Sequence, residues 1–261
     1  MRVSHMGVER RIVSPRFIGR EADAAVGLAL PADEMITAGP GPGDETDSVA
    51  PIHGALADAV TASVKDGKRP VCIVGDCCQS IGVMAGLVHA GLKPALVWLD
   101  SHGDFNTWET TPSGFLGGMP LAMLTGRGDQ RMMEAVDLAP LTDDRILLSD
   151  GRDLDPGERA LVKESGIRHM EKVIGVPYVL PEGLIHLHID TDILDARLAP
   201  AFLYPVKGGP SPQGLAAVIE SILETGKVAA LSICAAWDTL HHQGQATEAA
   251  VKRALEPIWR N

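Results

Sequence analysis

Aromatic residues are scarce in this chain: Phe, Trp and Tyr together make up only 4% of its 261 residues. The hydrophobic core must therefore be built mainly from Ala, Val, Leu and Ile, and a hydrophobic content of 45% is enough for a sizeable one. Basic residues are also outnumbered, since 23 Lys and Arg face 34 Asp and Glu. The net charge of −11 argues against nucleic acid or an anionic membrane as a partner.

Long apolar segments and abundant cysteine are missing as well. No apolar run approaches the length of a membrane span, and residues 1–6 lack the apolar stretch of a secretory signal. The four cysteines, Cys72, Cys77, Cys78 and Cys234, fit a reducing cytoplasm better than a disulfide-stapled secreted domain. We therefore expect a cytoplasmic protein in which residues 1–261 form a single domain.

Apolar strand-like segments alternate with helical patterns along the chain. Strands are expected at 70–75, 95–99, 145–149, 185–189 and 228–234, and helices at 80–90, 156–165, 212–226 and 247–259. This alternation predicts an α/β fold in which helices cover both faces of a mainly parallel sheet. In such sheets, ligands bind outside the carboxyl ends of the strands.

Acidic side chains lie at two of those expected strand ends. Asp100, His102 and Asp104 alternate directly after the 95–99 strand, and Asp190 and Asp192 follow the 185–189 strand. Residues at spacing two on an extended segment share one face, so each strand would present its metal-capable groups together. A single Asp in this position is commonly a turn former or a helix cap. Two matched clusters instead predict a carboxylate-rich site for more than one divalent cation.

Five segments resemble motifs of the ureohydrolase family, which contains arginases and agmatinases. They are GDCCQSIG at 75–82, DSHGD at 100–104, SGFLGGMP at 113–120, GRDLDPGE at 151–158 and IDTDILD at 189–195. These segments resemble the family patterns G-D-H-S-x-x-x-G, D-A-H-x-D, S-G-N-x-H-G-x-P, L-R-D-x-D-P-G-E and F-D-x-D-x-x-D. The resemblance implies a three-layer αβα fold and two Mn²⁺ ions that activate water for attack on a guanidino carbon.

The resemblance also implies which side chains would hold the two ions. One ion would be bound by Cys77, Asp100, Asp104 and Asp190, and the other by Asp100, His102, Asp190 and Asp192. Asp104 would also orient the attacking water and pass its proton to the leaving amine. Cys77 stands where the family has histidine, and a thiolate there admits Zn or Fe as well as Mn. The alternative is that Cys77 is a small buried apolar residue, as we expect for Cys72 and Cys234.

The far end of the substrate site is similar to that of the family. Asn106 and Ser113 match residues that contact an α-carboxylate, and Asp155 and Glu158 match residues that reach an α-ammonium group. The same acidic segment would also suit the N-terminal turn of a helix, and the two roles are compatible. The implied partner is a small guanidino amino acid. Family members commonly form trimers or hexamers, so a homo-oligomer is also consistent with the resemblance.

Two family residues are replaced. Gly117 takes the place of a histidine thought to shuttle protons, and Ala235 takes the place of the glutamate that pairs with the substrate guanidinium. His241 and His242 are alternative shuttles or loop residues without a catalytic role. The lost glutamate favours a less basic substrate, N-omega-hydroxy-L-arginine, cleaved to ornithine and hydroxyurea. In this the chain resembles the hydroxyarginine-hydrolysing members that serve biosynthesis of the antibiotic D-cycloserine. An arginase, an agmatinase, another guanidino-acid hydrolase, or a degenerate non-catalytic homologue stays open.

Overall fold

The computed structural model describes residues 8–260, so the prediction made for residues 1–6 lies outside the described part of the chain. The strands are β1 Glu9–Ser14, β2 Arg16–Phe17, β3 Arg20–Glu21, β4 Glu34–Met35, β5 Arg69–Val74, β6 Ala95–Asp100, β7 Ile146–Asp150, β8 Arg168–His169, β9 Ile185–Asp190 and β10 Val228–Cys234. The α-helices are α1 Asp23–Gly27, α2 Glu45–Ser48, α3 Ala50–Lys65, α4 Ser80–His89, α5 Pro120–Leu124, α6 Arg131–Glu134, α7 Pro156–Glu164, α8 Pro212–Glu224, α9 Gly244–Ala254 and α10 Glu256–Trp259.

One eight-stranded sheet forms the centre of the molecule. Its strand order is β4-β1-β5-β10-β9-β6-β7-β8, and each neighbouring pair runs parallel. The five strands expected from the sequence all belong to it. A strand that is buried on both faces of a sheet carries apolar side chains on both faces. Its sequence is therefore a continuous apolar run, which can be recognised without the structure. β10, the last strand in the chain, lies between β5 and β9.

Helices cover both faces of this sheet. One core contains Leu56 of α3 and Met84 of α4, and the other contains Leu215 of α8 and Val251 of α9. Each of these side chains is fully buried. The predicted three-layer αβα class is therefore confirmed. No helix within residues 8–260 has the length and apolar character that crossing a bilayer requires.

Two of the longer helical regions differ from the prediction, and the short helices α1, α2, α5 and α6 were not predicted either. The helix α3 was not predicted, although its buried residues Ile52, Leu56 and Val60 recur every four positions, as expected for one helical face. The helix expected at 247–259 is instead two helices, α9 and α10, with Leu255 between them. Pro257 in the first turn of α10 has no backbone N–H, so it cannot continue the hydrogen-bond ladder of α9.

Hydrogen bonds to Asp76 and close packing of α4 against α3 fix the turn after β5. Asp76 Oδ2 accepts the N–H of Ile18 at 2.8 Å, and Asp76 Oδ1 accepts that of Gln79 at 3.2 Å. These bonds hold a single 3₁₀ turn, Cys77–Gln79, at the start of α4. A Cβ atom on Gly82 would lie 2.7 Å from the carbonyl oxygen of His53, so the close approach of α4 to α3 requires glycine there.

Candidate functional site

The predicted site residues meet because the ends of the central strands are in register. Cys234 at the end of β10 is directly paired with Asp190 at the end of β9. Asp100 ends β6, which is the neighbour of β9 on its other side. Cys77 follows β5, the neighbour of β10. Four strand ends therefore deliver polar groups to one edge of the sheet, as expected for a parallel α/β fold.

Three overlapping groups of potential metal donors lie on this edge among the described residues, and one of them joins Cys77 and Asp100 to His188. The Cys77 thiol donates to Asp190 Oδ2 at 2.9 Å, and Cys77, Asp190 and Cys234 offer donor atoms within 4.8 Å of one another. Asp100, His102 and Asp192 form a second such group. Five of the six predicted ligands therefore belong to these groups. Cys234, expected to be a small buried apolar residue, is buried in the core, and it also lines the cavity beside Cys77.

His102 lies between two carboxylates. Its Nδ1 is 3.4 Å from Asp100 Oδ1 and 3.3 Å from Asp192 Oδ2. The backbone N–H of His102 donates to Asp100 Oδ1 at 2.8 Å, and the Ser101 hydroxyl donates to Asp192 Oδ1 at 2.9 Å. The indole Nε1 of Trp98 donates to Asp100 Oδ2 at 3.1 Å. These neighbours fix the rotamers of both carboxylates, so the site is ordered before any ligand arrives.

The carboxylates of the site are held in an unfavourable environment. Burial raises the pKa of Asp100 to about 6, with repulsion from Asp192 adding to the effect. Burial also raises the pKa values of Asp104 and Asp190 well above their ordinary range, and neighbouring carboxylates reinforce it. For His102, burial alone would lower the pKa, but Asp192 and Asp100 outweigh it and raise it. A divalent cation would relieve this repulsion, so the cluster fits the metals implied by its donor set.

Asp104 occupies a separate position in the same cavity. It is 6% exposed, and its backbone φ of +49° is in the left-handed region that few residues adopt. Its carbonyl oxygen accepts the N–H of Leu121 at 2.9 Å, which anchors this conformation to the start of α5. Asp104 lies outside the tight donor groups found among the described residues, but it lines the cavity with Cys77 and Asp190.

A chain of buried polar groups lies beneath the donor groups, on the same face of the sheet. The Ser232 hydroxyl is 2.8 Å from both His186 Nε2 and His188 Nδ1. The His188 ring stacks on Trp98 with 3.8 Å between ring centroids. His188 Nε2 is buried and has no hydrogen-bond partner among residues 8–260. A buried nitrogen without a hydrogen-bond partner lowers the stability of the fold. A bound cation could supply the missing partner, as it could also relieve the repulsion between the carboxylates.

The donor groups open into a cavity of about 390 Å³. Asn106, Ser113, Asp155 and Glu158, the residues predicted to bind the amino-acid end of a substrate, all line it. Asn106 Nδ2 donates to Asp155 Oδ2 at 2.9 Å. Both carboxylate oxygens of Glu158 accept backbone hydrogen bonds, one from the N–H of Phe105 at 2.8 Å and one from the N–H of Asp155 at 3.0 Å. Both predicted roles of this segment are therefore compatible with the geometry, with Asp155 the more accessible carboxylate.

Three aromatic side chains form part of the cavity wall. The rings of Phe17 and Phe115 are stacked with 6.1 Å between centroids, and Tyr204 lies 5.0 Å from Phe115. All three side chains line the cavity, although the chain has few aromatic residues. A Cβ atom on Gly117 would lie 2.5 Å from Phe115 Cζ, so the phenyl ring fills the space of a side chain at 117.

The place of the lost glutamate is also apolar. Ala235 is fully buried and packs in the core beneath the opposite face of the sheet, whereas its neighbours Cys234 and Ala236 line the cavity. His241 and His242 are absent from the residues that line the cavity in the described chain and instead lie 4.2 Å apart, ring to ring. Their reading as loop histidines is the one that this geometry supports.

Sequence reasoning missed several groups in the cavity, namely Phe17, Tyr204 and the buried His188 below it. His188 was inside a segment read as a buried strand, and its spacing of two from Asp190 was a usable signal for a shared face. Phe17 and Tyr204 come from short irregular segments without periodicity, so no pattern indicated them. Asp195, noted beside the second cluster, instead pairs with Arg197 through both carboxylate oxygens.

Comparison with known proteins agrees with this geometry. A model of the arginase family matches residues 22–258. The arginase of Bacillus subtilis is 31% identical over 219 residues, covering 79% of this chain and 74% of that protein. The arginase of Bacillus caldovelox is 34% identical over 176 residues, which are 62% of this chain and 59% of that protein.

The fold matches over nearly the full length of a solved relative. The crystal structure of Bacillus subtilis arginase superposes with a TM-score of 0.79 at 25% identity, covering 97% of this chain and 99% of the other. Family match, sequence identity and fold therefore agree. The chain belongs to the arginase family and is an enzyme of that class, a hydrolase of carbon–nitrogen bonds in linear amidines.

Proposed function

We propose that this protein is a dinuclear metal-dependent amidinohydrolase that cleaves N-omega-hydroxy-L-arginine to L-ornithine and hydroxyurea. The observation that carries the proposal is a single cavity with three kinds of wall. Its lining includes metal donors, residues suited to an amino-acid end, and an uncharged wall that contains Phe17, Phe115, Tyr204 and Ala236. A substrate with an amino-acid end and a weakly basic head group complements these three walls.

The proposed ligands are Cys77, Asp100, His102, Asp104, Asp190 and Asp192. Two divalent ions bound there would polarise the guanidino group and make water nucleophilic near neutral pH. Mn²⁺ is the ion that the family resemblance implies, and Cys77 admits Zn²⁺ or Fe²⁺. Ser101 and Trp98 contribute by holding Asp192 and Asp100 in place through the bonds described above.

Asp104 is the proposed proton carrier. Its carboxylate is buried in the cavity, and its pKa is raised by that burial and by the nearby Asp100. A raised pKa brings a carboxylate closer to the neutral range in which it both accepts and releases protons. Asp104 would accept the proton of the attacking water and deliver it to the departing amine of ornithine.

The amino-acid end would bind at the α7 side of the cavity. Asn106 and Ser113 offer an amide and a hydroxyl to an α-carboxylate, and Asp155 offers a carboxylate to the α-ammonium group. Glu158 supports Asp155 through its backbone bond. These contacts disfavour agmatine, which has no carboxylate at its far end.

The uncharged wall determines the preferred head group. A guanidinium cation needs a carboxylate partner when it leaves water. Ala235 faces the opposite core, and neither of its neighbours in the wall, Cys234 and Ala236, provides a carboxylate. Hydroxylation makes the guanidino group less basic, so its neutral form can bind without that partner. The added hydroxyl also offers one more oxygen to a metal or a hydrogen-bond donor.

The test is ornithine release from protein loaded with Mn²⁺ and, in parallel, with Zn²⁺, given arginine and N-omega-hydroxy-L-arginine. We expect a higher kcat/KM for the hydroxylated substrate with at least one metal. Equal or better turnover of arginine would show instead an arginase with a tolerated cysteine.

No ornithine release from either substrate would favour a non-catalytic homologue. The replacements at Gly117 and Ala235 are consistent with such a homologue. The metal content of the protein then distinguishes a catalytic hydrolase from a non-catalytic homologue. About two bound ions per chain is the number that a dinuclear catalytic site requires, whereas a degenerate site would bind close to none.

A further inference from the structure

Cys234 adds a second thiol beside Cys77. The two sulfur atoms and one Asp190 oxygen lie within 4.8 Å of one another, and both cysteines line the cavity. This placement follows from the sheet, because β10 pairs with β9 so that Cys234 is directly opposite Asp190. The pairing of the strands therefore fixes the position of Cys234 beside the other donors.

A buried imidazole approaches the same position from below. A ring nitrogen of His188, the Cys77 sulfur and an Asp100 oxygen also lie within 4.8 Å of one another. His188 Nδ1 is occupied by the Ser232 hydroxyl at 2.8 Å. The other nitrogen, Nε2, is fully buried and lacks a partner among residues 8–260. Cys77 is common to both groups, so its sulfur lies beside both the second thiol and the buried nitrogen.

The other two cysteines behave differently. The Cys78 thiol donates to the carbonyl oxygen of Leu116 at 3.7 Å, and Cys72 is a core residue of β5. Neither lines the cavity. The Cys234 thiol donates to the carbonyl oxygen of Gly75 at 3.9 Å, and unlike the other two it lines the cavity beside Cys77 and Asp190. Its sulfur is therefore available to a ligand in a way that the thiols of Cys72 and Cys78 are not.

We infer that Cys77 and Cys234 are both thiolate ligands of one ion, together with Asp190, and that His188 is its nitrogen donor. Such a set selects a borderline-soft divalent ion, with Zn²⁺ the expected occupant, over Mn²⁺. Zn–S and Zn–N bonds of about 2.3 and 2.1 Å place tetrahedral donors roughly 3.5 Å apart. The donor atoms, which lie within 4.8 Å of one another in each group, would move toward a common centre to reach this spacing. The inference rests on the metal part of the proposed function and leaves the substrate aside.

The test counts sulfur atoms around the metal in the full-length protein. X-ray absorption of the wild-type protein loaded with one equivalent of Zn²⁺ should show two sulfur neighbours at about 2.3 Å. Fewer than two sulfur neighbours would overturn the inference. This measurement needs no substitution, so a variant that fails to fold does not weaken it.

Co²⁺ provides a second readout. The near-ultraviolet sulfur-to-cobalt absorption of Cys234→Ala should fall to about half of the wild-type value, because one of two Co–S bonds is lost. Cys78→Ala is the matched control and should keep the wild-type absorption. Full absorption in Cys234→Ala, with circular dichroism showing a folded protein, would contradict the inference. Cys234→Ser replaces Cys234→Ala if the latter does not fold.

The two proposals can fail separately, because neither spectrum involves substrate. Two sulfur ligands without hydrolysis of any guanidino compound would retain the soft-metal site and remove the proposed catalysis. Hydrolysis of hydroxyarginine with no more than one sulfur ligand would do the opposite. Competition adds a selectivity measure: the preference for Zn²⁺ over Mn²⁺ should fall by about tenfold or more in Cys234→Ala.

Discussion

The phenyl ring of Phe115 occupies the volume into which a side chain at Gly117 would project, with 2.5 Å between Phe115 Cζ and a Cβ atom built at 117. The histidine that the family carries at this position has therefore been replaced by a ring from two residues earlier. Glycine at 117 permits the position of the ring at 115, so the two positions are sterically linked.

This coupling predicts the behaviour of a restored histidine. Gly117→His alone should destabilise the protein by about 1–3 kcal/mol, because the new side chain overpacks against Phe115. The double variant Phe115→Asn, Gly117→His should be less destabilised than the sum of the two single changes. Urea unfolding of all four proteins in a double-mutant cycle measures this coupling. Strictly additive effects would show that the ring and the glycine are independent.

A carboxylate placed on the uncharged wall should shift substrate preference. Ala236→Glu puts a carboxylate on the cavity wall, and we expect kcat/KM for arginine to rise relative to hydroxyarginine, because the guanidinium gains a partner. Ala235→Glu is the matched control. It buries an unpaired carboxylate in the opposite core, so it should cost about 3–5 kcal/mol of stability or prevent folding. A well-folded Ala235→Glu with raised arginine activity would contradict the assigned orientations.

The Cys77 assignment can be tested by metal content alone. Cys77→Ala should lower the metal retained per chain after dialysis, whereas Cys77→His should retain it, because imidazole is also a good ligand for these ions. Cys78→Ala, in the adjacent and equally buried residue, should match the wild type. If Cys77→Ala also matched the wild type, Cys77 would be a bystander.

The metal-free protein should lose stability as the pH rises toward neutrality, in part through Glu158. Burial raises the pKa of Glu158 from 4.5 to about 7, against the opposing effect of two N–H bonds. The folded state therefore holds this proton more tightly than the unfolded state. The resulting stabilisation is complete below about pH 4.5 and is lost as the pH rises to about 7.

The expected loss from this one group is roughly 3 kcal/mol at most, since each pKa unit corresponds to about 1.4 kcal/mol. Urea unfolding in the presence of a chelator, at several pH values from 4 to 8, measures the slope. Glu158→Gln mimics the neutral acid and should flatten the slope over this range. An unchanged slope in that variant would assign the pH dependence to other carboxylates.

Much of the site was predictable because its chemistry follows strand periodicity. Asp100, His102 and Asp104 alternate after one apolar run, and Asp190 and Asp192 after another. A parallel sheet brings such strand ends to one edge, so the convergence of these groups needed only the fold class.

The role of Cys234 was not predictable in the same way. A cysteine at the end of an apolar run reads equally well as a core residue or a ligand. The distinction depends on β10 being inserted beside β9, so that Cys234 faces Asp190, and strand order is not encoded in local periodicity. The position of Phe115 was hidden for a related reason, since it depends on a side-chain rotamer in an irregular loop.

The central position of β10 in the sheet also affects how the protein folds during synthesis. Among residues 8–260 this strand is the last of the sheet in chain order, yet both of its long edges are hydrogen-bonded to strands made earlier, β5 and β9. During translation, β5 and β9 cannot yet be bridged, so each would present an open edge to other chains. The same closing event supplies Cys234 opposite Asp190. Insertion of β10 between β5 and β9 thus closes the sheet and completes the Cys77–Asp190–Cys234 donor group in one step.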